Sequence, residues 1–425
     1  MTKFDDQAIR LTWERTAISE RGDELVLMLR ILPPTRQHSS APPVDVSFAL
    51  DRSGSMSGAP IRLVKEAVKT GSAMLSDQDR LALVVYDDQI DVIHPLQPVS
   101  PTSRTLLRAA LAKVDARGST DLGGGWMRAA LQLADSPPAS KGNRPRLQRT
   151  LLLTDGLANQ GITDAGELSA HAGQLRSRGI TTSTLGVGDH FDEMLLVAMA
   201  EAGGGNFQYI PSATELPGFF QKELGRLLST VVSSVVLTIQ SSPGVTAELI
   251  SSYPSMHSPG GCTVTIGELG EDEETIVLVA ITTPHARPGT TVPVQVTCTW
   301  VDTASGEPDR TTIPSPDLTV VAHGSPLLAD QDPTVAEQTA LQRAASDQRE
   351  AMQLDREGRY TESRAAHSRA ARHLAAAPAT STVRERLREA EQYAEFRDDA
   401  AIPERIRKQA VHANYRRGRG RADNS

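Results

Sequence analysis

The chain has 425 residues, room for nearly three domains at about 150 residues each. Its 44 Lys and Arg against 52 Asp and Glu give a formal charge of −8, with 39% hydrophobic and 23% charged residues. That is the balance of an ordinary, mildly acidic globular protein, and it argues against disorder and against wholesale nucleic-acid binding. Aromatic residues make up only 4%, so a surface that stacks bases or sugars on rings would have few rings to use. The opening MTKFDDQAIRL has no apolar targeting segment. Nowhere do about 18 consecutive apolar residues occur. The expectation is a cytoplasmic protein without a membrane span. Cys262 and Cys298 are too few for a disulfide framework and too far apart for a metal site, and are expected to be buried thiols in neighbouring strands.

In chain order, IRLTWERTAI and ELVLMLRIL alternate apolar and polar residues around Gly22 and Asp23, which predicts a hairpin. Residues 33–43, PPTRQHSSAPP, read as a linker or long loop. From Val44 to about Ile210, apolar runs (VDVSFAL, LALVVY, RTLLLT, TTSTLGV, NFQYI) alternate with helical periods. This predicts a doubly wound α/β domain with a mainly parallel sheet. Ile61, Val64, Val68, Gly71 and Leu75 recur at three- and four-residue steps and mark its first helix. Further helices are expected near Leu106–Val114, Gly124–Leu133, Ala165–Arg178, Glu193–Ala202 and Glu215–Leu228.

Residues 231–325 carry short runs (SSVVLTIQ, CTVTIGEL, ETIVLVAIT, VPVQVTCTW, DLTVVA) between Pro, Gly and acidic turns, the pattern of a β-sandwich. Five runs make a thin sandwich. The amino-terminal segment, residues 1–43, is therefore expected to complete it, with the α/β domain, 44–230, inserted into it. Residues 326–425 read as helical and rich in Ala, Arg, Glu and Gln, with one tetratricopeptide-like hairpin around Gly358 and Tyr360. The basic end, RRGRGRADNS, could touch nucleic acid weakly, but a short charged terminus is usually just solvated. The acidic EDEE at Glu271–Glu274 reads as an exposed hairpin turn.

The chemistry concentrates where strands of the α/β domain end. DRSGSM puts Asp51, Ser53 and Ser55 at alternate positions beyond the first apolar run, at the rim where an open α/β sheet forms its ligand crevice. GSTDLGGG adds Thr120 in a Gly-rich turn, and LLLTDG adds Asp155 at another strand end. Two carboxylates and three hydroxyls are a hard, all-oxygen set, suited to Mg²⁺ or Mn²⁺ and unsuited to Zn²⁺. Asp121, Asp189, His190 and Asp192 lie in rim loops and are candidates for a partner-binding face. As helix caps or solvated turns they would need no such role.

The set D-x-S-x-S from Asp51, then Thr120, then the Asp155 of TDG, resembles the metal-ion-dependent adhesion site of the von Willebrand factor A family, with no position missing. The resemblance covers roughly Val44 to Thr230. It implies a Rossmann-like fold and a non-enzymatic module that binds an acidic side chain of a partner protein through the metal. A β-rich start, a following β-sandwich and a helical tail look like bacterial cytosolic proteins of this kind. Members of that wider group often accompany MoxR-type AAA+ ATPases or stress and conflict systems, which suggests such a partner class.

Two other readings of the chain are a scaffold or self-assembling component, with the metal structural, and a metal-dependent hydrolase or phosphatase. Against the latter, a haloacid-dehalogenase-type phosphatase needs a second Asp where Ser53 stands. GSMSG likewise puts Met56 where a serine hydrolase needs its nucleophile. No G-x-x-x-x-G-K-[ST] and no H-E-x-x-H occurs in the sequence.

Overall fold

The structure is a computed structural model that describes residues 8–33, 41–135, 146–271, 273–395 and 401–420. Most of the linker read at 33–43, residue 272 of the acidic turn and the last five residues of the basic end lie outside the described residues. The chain divides into two compact units, His38–Thr230 with Thr303–Gly306, and Met1–Gln37 with Val231–Asp302 and Glu307–Ser425. The first is thus an insertion, in sequence, into the second.

The chain starts with strands β1 (Ile9–Trp13), β2 (Ala17–Ser19) and β3 (Asp23–Ile31) of the second unit. The inserted unit follows with β4 (Val44–Asp51), α1 (Ala59–Met74), β5 (Arg80–Tyr86), β6 (Ile90–Pro98), α2 (Pro101–Ala112) and α3 (Leu122–Ala134). It continues with β7 (Leu147–Thr154), α4 (Ala165–Ser177), β8 (Ile180–Val187), α5 (Glu193–Gly203), β9 (Gly204–Ile210) and α6 (Leu216–Leu228). Its sheet has the order β6-β5-β4-β7-β8-β9, parallel except for the antiparallel β5/β6 pair.

Alternate residues of the central strands face opposite layers of helices. Val46, Phe48 and Leu50 of β4, with Leu83, Val85, Leu151 and Leu153, form one core with Val64 and Val68 of α1, Leu111 of α2 and Phe220 and Leu224 of α6. Each such fully buried side chain contributes about 1.5–3 kcal/mol. On the other face α3 lies against β4, β5 and β7. There Gly125 sits so close to the Tyr86 ring that a Cβ would collide with it. This is the doubly wound α/β class expected from the sequence.

The strand absent from the sequence reading is β6. It is an edge strand, half-exposed, bulged against β5 and carrying Pro95, so it has no unbroken apolar run, and Pro is tolerated there because an edge leaves N–H groups unpaired.

The second unit resumes with β10 (Thr230–Ser241), β11 (Thr246–Leu249), β12 (Ser255–Ser258), β13 (Gly261–Gly270), β14 (Thr275–Thr283), β15 (Thr291–Val292), β16 (Val294–Asp302), β17 (Pro308–Ile313) and β18 (Leu318–Val321). Helices α7 (Pro333–Arg356), α8 (Tyr360–Ala375), α9 (Ser381–Ala394) and α10 (Glu404–Gly418) end it. Among the described residues its strands form sheets β1-β3-β14-β11, β12-β13-β10-β16-β17 and β15-β18-β2. Leu25, Leu27 and Leu29 of β3 join Leu237, Val264, Val279 and Val296 in a core shared by the two larger sheets. The alternate residues Val26 and Met28 pack with Leu278 and with Val335 of α7. Burial on both faces explains why β3 is apolar almost throughout.

Two features depart from the sequence expectation. The run IRLTWERTAI is not one arm of a hairpin. β1 pairs antiparallel with β3, but β2 leaves for another sheet and pairs parallel with β18. The polar break at Glu14–Thr16 makes the corner, fixed by Arg15 Nη2 donating to Asp23 Oδ1 at 2.8 Å. Cys262 and Cys298 are buried free thiols, but β10 lies between their strands, because the sheet order does not follow the chain order. Burial pushes the two thiols up to about 11 and about 12.

No helix among the described residues is long and apolar enough to cross a membrane.

Candidate metal centre

Three loops, the first leaving the carboxyl end of β4, the second joining α2 to α3 and the third leaving the carboxyl end of β7, bring their polar groups together. The first begins at Asp51, fully buried at the last position of β4. Its Oδ1 accepts from the Ser53 backbone N–H at 2.7 Å, and its Oδ2 accepts from Thr154 Oγ1 at 2.6 Å. Ser53 Oγ lies 3.1 Å from Ser55 Oγ, and Ser55 Oγ donates to Asp155 Oδ1 at 2.6 Å. The first and third loops are thereby joined through hydroxyls.

Thr120 enters from the second loop. Its backbone N–H donates to Asn159 Oδ1 at 2.8 Å, and its carbonyl accepts from the N–H groups of Asn159 and Gln160, both at 3.2 Å. A Cβ built on Gly156 would stand 3.5 Å from Ser55 Oγ and 3.7 Å from Thr120 Oγ1, so the glycine of TDG leaves space beside both hydroxyls. Asp51, Ser53 and Thr120 are buried, Asp155 is half-buried and Ser55 is exposed. The cluster therefore opens to solvent at Ser55 and Asp155.

Burial pushes the Asp51 carboxyl up to about 6 against the pull of its bonds from Ser53 and Thr154, with the Asp155 charge adding to the rise. Asp155 is also raised, chiefly by burial and partly offset by the Ser55 bond and the His190 charge. Neither carboxylate has a Lys or Arg ion-pair partner among the described residues. Nor, among those residues, do three His, Cys, Asp or Glu side chains come together as a metal site. The cluster is two carboxylates and three hydroxyls, a donor set that fits a hard divalent cation and no soft one.

Residues 45–222 match the von Willebrand factor type A domain. That stretch, less than half of the chain, has the von Willebrand factor type A fold. It is 31% identical over 225 residues to YfbK of Escherichia coli, covering 52% of this chain and 38% of that one. It is 26% identical over 302 residues to sll0103 of Synechocystis, covering 68% of this chain and 69% of that protein. The chain thus spans well under half the length of YfbK. In fold it is similar to a von Willebrand factor type A protein from Catenulispora acidiphila, with a TM-score of 0.73 and 18% identity over 97% of this chain and 96% of that one.

The rim residues of the A domain do different work. Asp121 caps α3, accepting from Gly124 N–H at 2.9 Å, and Asp192 caps α5, accepting from the N–H groups of Met194 and Leu195. Asp189 accepts from the Tyr209 hydroxyl at 2.7 Å. These carboxylates sit in the rim loops, but each is engaged in holding the fold. His190 is exposed, and its charge acts on Asp155.

The sequence reading missed the groups that hold the three loops in place. Asp87, just past β5 and fully buried, accepts from Arg52 Nε at 3.1 Å and Nη2 at 3.2 Å, from Arg117 Nε at 2.7 Å and from Gln89 N–H at 2.7 Å. Arg52 sits inside the D-x-S-x-S segment and Arg117 three residues before Thr120, so one carboxylate ties two of the loops. Gly54 N–H to the Gly118 carbonyl, at 3.1 Å, ties them again. Gly118 has φ +66° and lies against Asp88, a conformation that suits glycine alone. The one available signal was position: Asp87 follows a strand as Asp51 and Asp155 do, and Thr154 precedes Asp155.

Proposed function

We propose that the A domain holds Mg²⁺ or Mn²⁺ between Asp51, Ser53, Ser55, Thr120 and Asp155 and uses it to bind a carboxylate side chain of a partner protein. The observation that carries this is a pair of buried or half-buried carboxylates, both raised by burial, with no Lys or Arg ion-pair partner among the described residues. Charges of one sign removed from water cost several kcal/mol each unless a counter-charge meets them, and a divalent cation is that counter-charge. When bound, it would supply positive charge and a Lewis-acidic coordination position toward the exposed side of the cluster. A carboxylate offers both a negative charge and a hard oxygen there.

Domains of this family generally mediate protein–protein interaction, which supports binding as the function. The buried thiols, pushed far above neutrality, are poor nucleophiles. The domain order read from the sequence, an A domain with a β-sandwich and a helical tail, makes a MoxR-type AAA+ ATPase the first partner to test.

The test is calorimetric titration of Mg²⁺ and of Mn²⁺ into the metal-stripped protein, wild type against Asp51→Asn and Asp155→Ala, with circular dichroism to confirm folding. The proposal expects one site in the wild type and none in folded variants. Binding to a candidate partner should then require both the metal and an acidic residue on that partner. Folded variants that bind the metal as the wild type does would refute the site. Partner binding indifferent to EDTA would refute the mechanism.

A further inference from the structure

The three loops of the candidate metal centre carry one exposed residue unlike the others. Among the described residues 52–58, 113–121 and 155–164, every exposed position is a glycine or bears a polar or charged side chain, except Leu157. Leu157 is 54% exposed. A single leucine in water is ordinary on a protein surface, so its exposure gains meaning from where it stands and how firmly it is held.

Leu157 lies two residues after Asp155 and two before Asn159. Two peptide units span at most about 7 Å, so its Cα is that close to both. Asp155 is fixed by the bond from Ser55 Oγ at 2.6 Å. Asn159 is fixed on the other side: its Oδ1 accepts from the Thr120 N–H, and its own N–H and that of Gln160 donate to the Thr120 carbonyl. Thr120 and Asp155 both belong to the cluster, so the short segment carrying Leu157 is tied to it at either end. Gly156, between Leu157 and Asp155, has no side chain to stand between them. The cluster opens to solvent at Ser55 and Asp155, and the leucine borders that opening. A loop tethered in this way has little conformational freedom left to lose when a partner covers it.

We propose that Leu157 sets specificity at the candidate metal centre: the partner's carboxylate belongs to an acidic residue with a large apolar neighbour, which covers Leu157 while the carboxylate faces the metal. This rests on the metal-dependent binding proposed above and adds the chemistry of the residue beside the acid. Covering the exposed half of one leucine strengthens binding about fivefold.

The experiment uses the full chain with Mg²⁺ and three acetylated, amidated tripeptides, Leu-Asp-Leu, Ser-Asp-Ser and Leu-Asn-Leu, titrated by NMR. The wild type should bind Leu-Asp-Leu about fivefold tighter than Ser-Asp-Ser, and Leu-Asn-Leu should not bind. Leu157→Ser should bind the two acidic peptides alike, at the Ser-Asp-Ser level. Calorimetric titration of Mg²⁺ into that variant should give the wild-type affinity, because no metal ligand is changed. Leu157→Ala is a second variant with the same expectation. Equal affinity of the wild type for both acidic peptides, or a preference that survives in both variants, overturns the inference and leaves the metal-dependent reading standing. If neither acidic peptide binds, or if EDTA leaves their binding unchanged, the metal-dependent reading fails and this inference falls with it.

Discussion

Thr154→Val removes the hydroxyl that donates to Asp51 at the candidate metal centre and that also accepts from Gly156 N–H at 3.2 Å. Thr154 Oγ1 donates to Asp51 Oδ2 at 2.6 Å, and both side chains are fully buried. Valine keeps the shape and removes the donor. Hydrogen bonds to charged groups contribute about 1.5–3 kcal/mol, and the carboxylate oxygen left without its donor stays buried, so a loss of about 2 kcal/mol is expected in urea unfolding at pH 7 with EDTA present. The same bond lowers the Asp51 proton affinity, so protons compete better with the cation in the variant. Groups that orient metal ligands typically contribute about 10–100-fold to affinity, and calorimetric Mg²⁺ binding should fall by that factor. Thr154→Ser retains the hydroxyl and should recover most of both losses. The reasoning fails if Thr154→Val binds Mg²⁺ within about twofold of wild type, or if Thr154→Ser is impaired as much as Thr154→Val.

Asp87→Ala removes the acceptor shared by Arg52 and Arg117 and leaves Arg52, 8% exposed, with the exposed Asp91 as its remaining counter-charge. A loss near the lower end of about 3–5 kcal/mol is expected in chemical denaturation, together with weaker Mg²⁺ binding. The buried pair Arg149–Glu223, at 2.8 Å, is bonded further by Ser183 and Asn206. Glu223→Ala should therefore cost about 3–5 kcal/mol by the same measurement, and Arg149→Met added to it should restore part of the loss. For pH, Asp51 is raised from 3.8 to about 6 on folding, so between those values the native state binds more protons than the unfolded chain. Its stabilising contribution is full below pH 3.8 and is lost as pH rises through about 6, amounting to about 3 kcal/mol. In EDTA, the difference in stability between wild type and Asp51→Asn should change by that amount across this window, and saturating Mg²⁺ should oppose the change. A difference that stays flat from about pH 4 to 7 would refute it.

Much of the A domain was legible because its signals are local. A strand buried on both faces must be apolar throughout, as VDVSFAL is, and a helix packed on it must repeat its apolar residues every three or four positions. The β6 edge escaped because exposure and Pro95 erase that pattern. In the second unit, β11, β12, β15 and β17 are short or polar. Their strand character comes from the partner strand and not from their own residues, as β-propensity is largely a matter of context.

The sequence alone therefore determined the α/β class, because the alternation of strand and helix patterns is a property of neighbours along the chain, and it offered Asp51, Ser53, Ser55, Thr120 and Asp155 as candidate ligands. Tertiary structure decided what no spacing encodes: that one turn of chain sends β1 and β2 into different sheets, that β10 separates the two cysteines, and that Asp87 and Thr154 secure loops whose own motif omits them. It also decided that Gln348, one polar residue among many on a long helix, lies buried with an unpartnered amide. Burial and pairing across the fold depend on which distant segments meet, and those contacts join residues far apart along the chain, as Arg30 with Glu274 and Ser251 with Gln342 show.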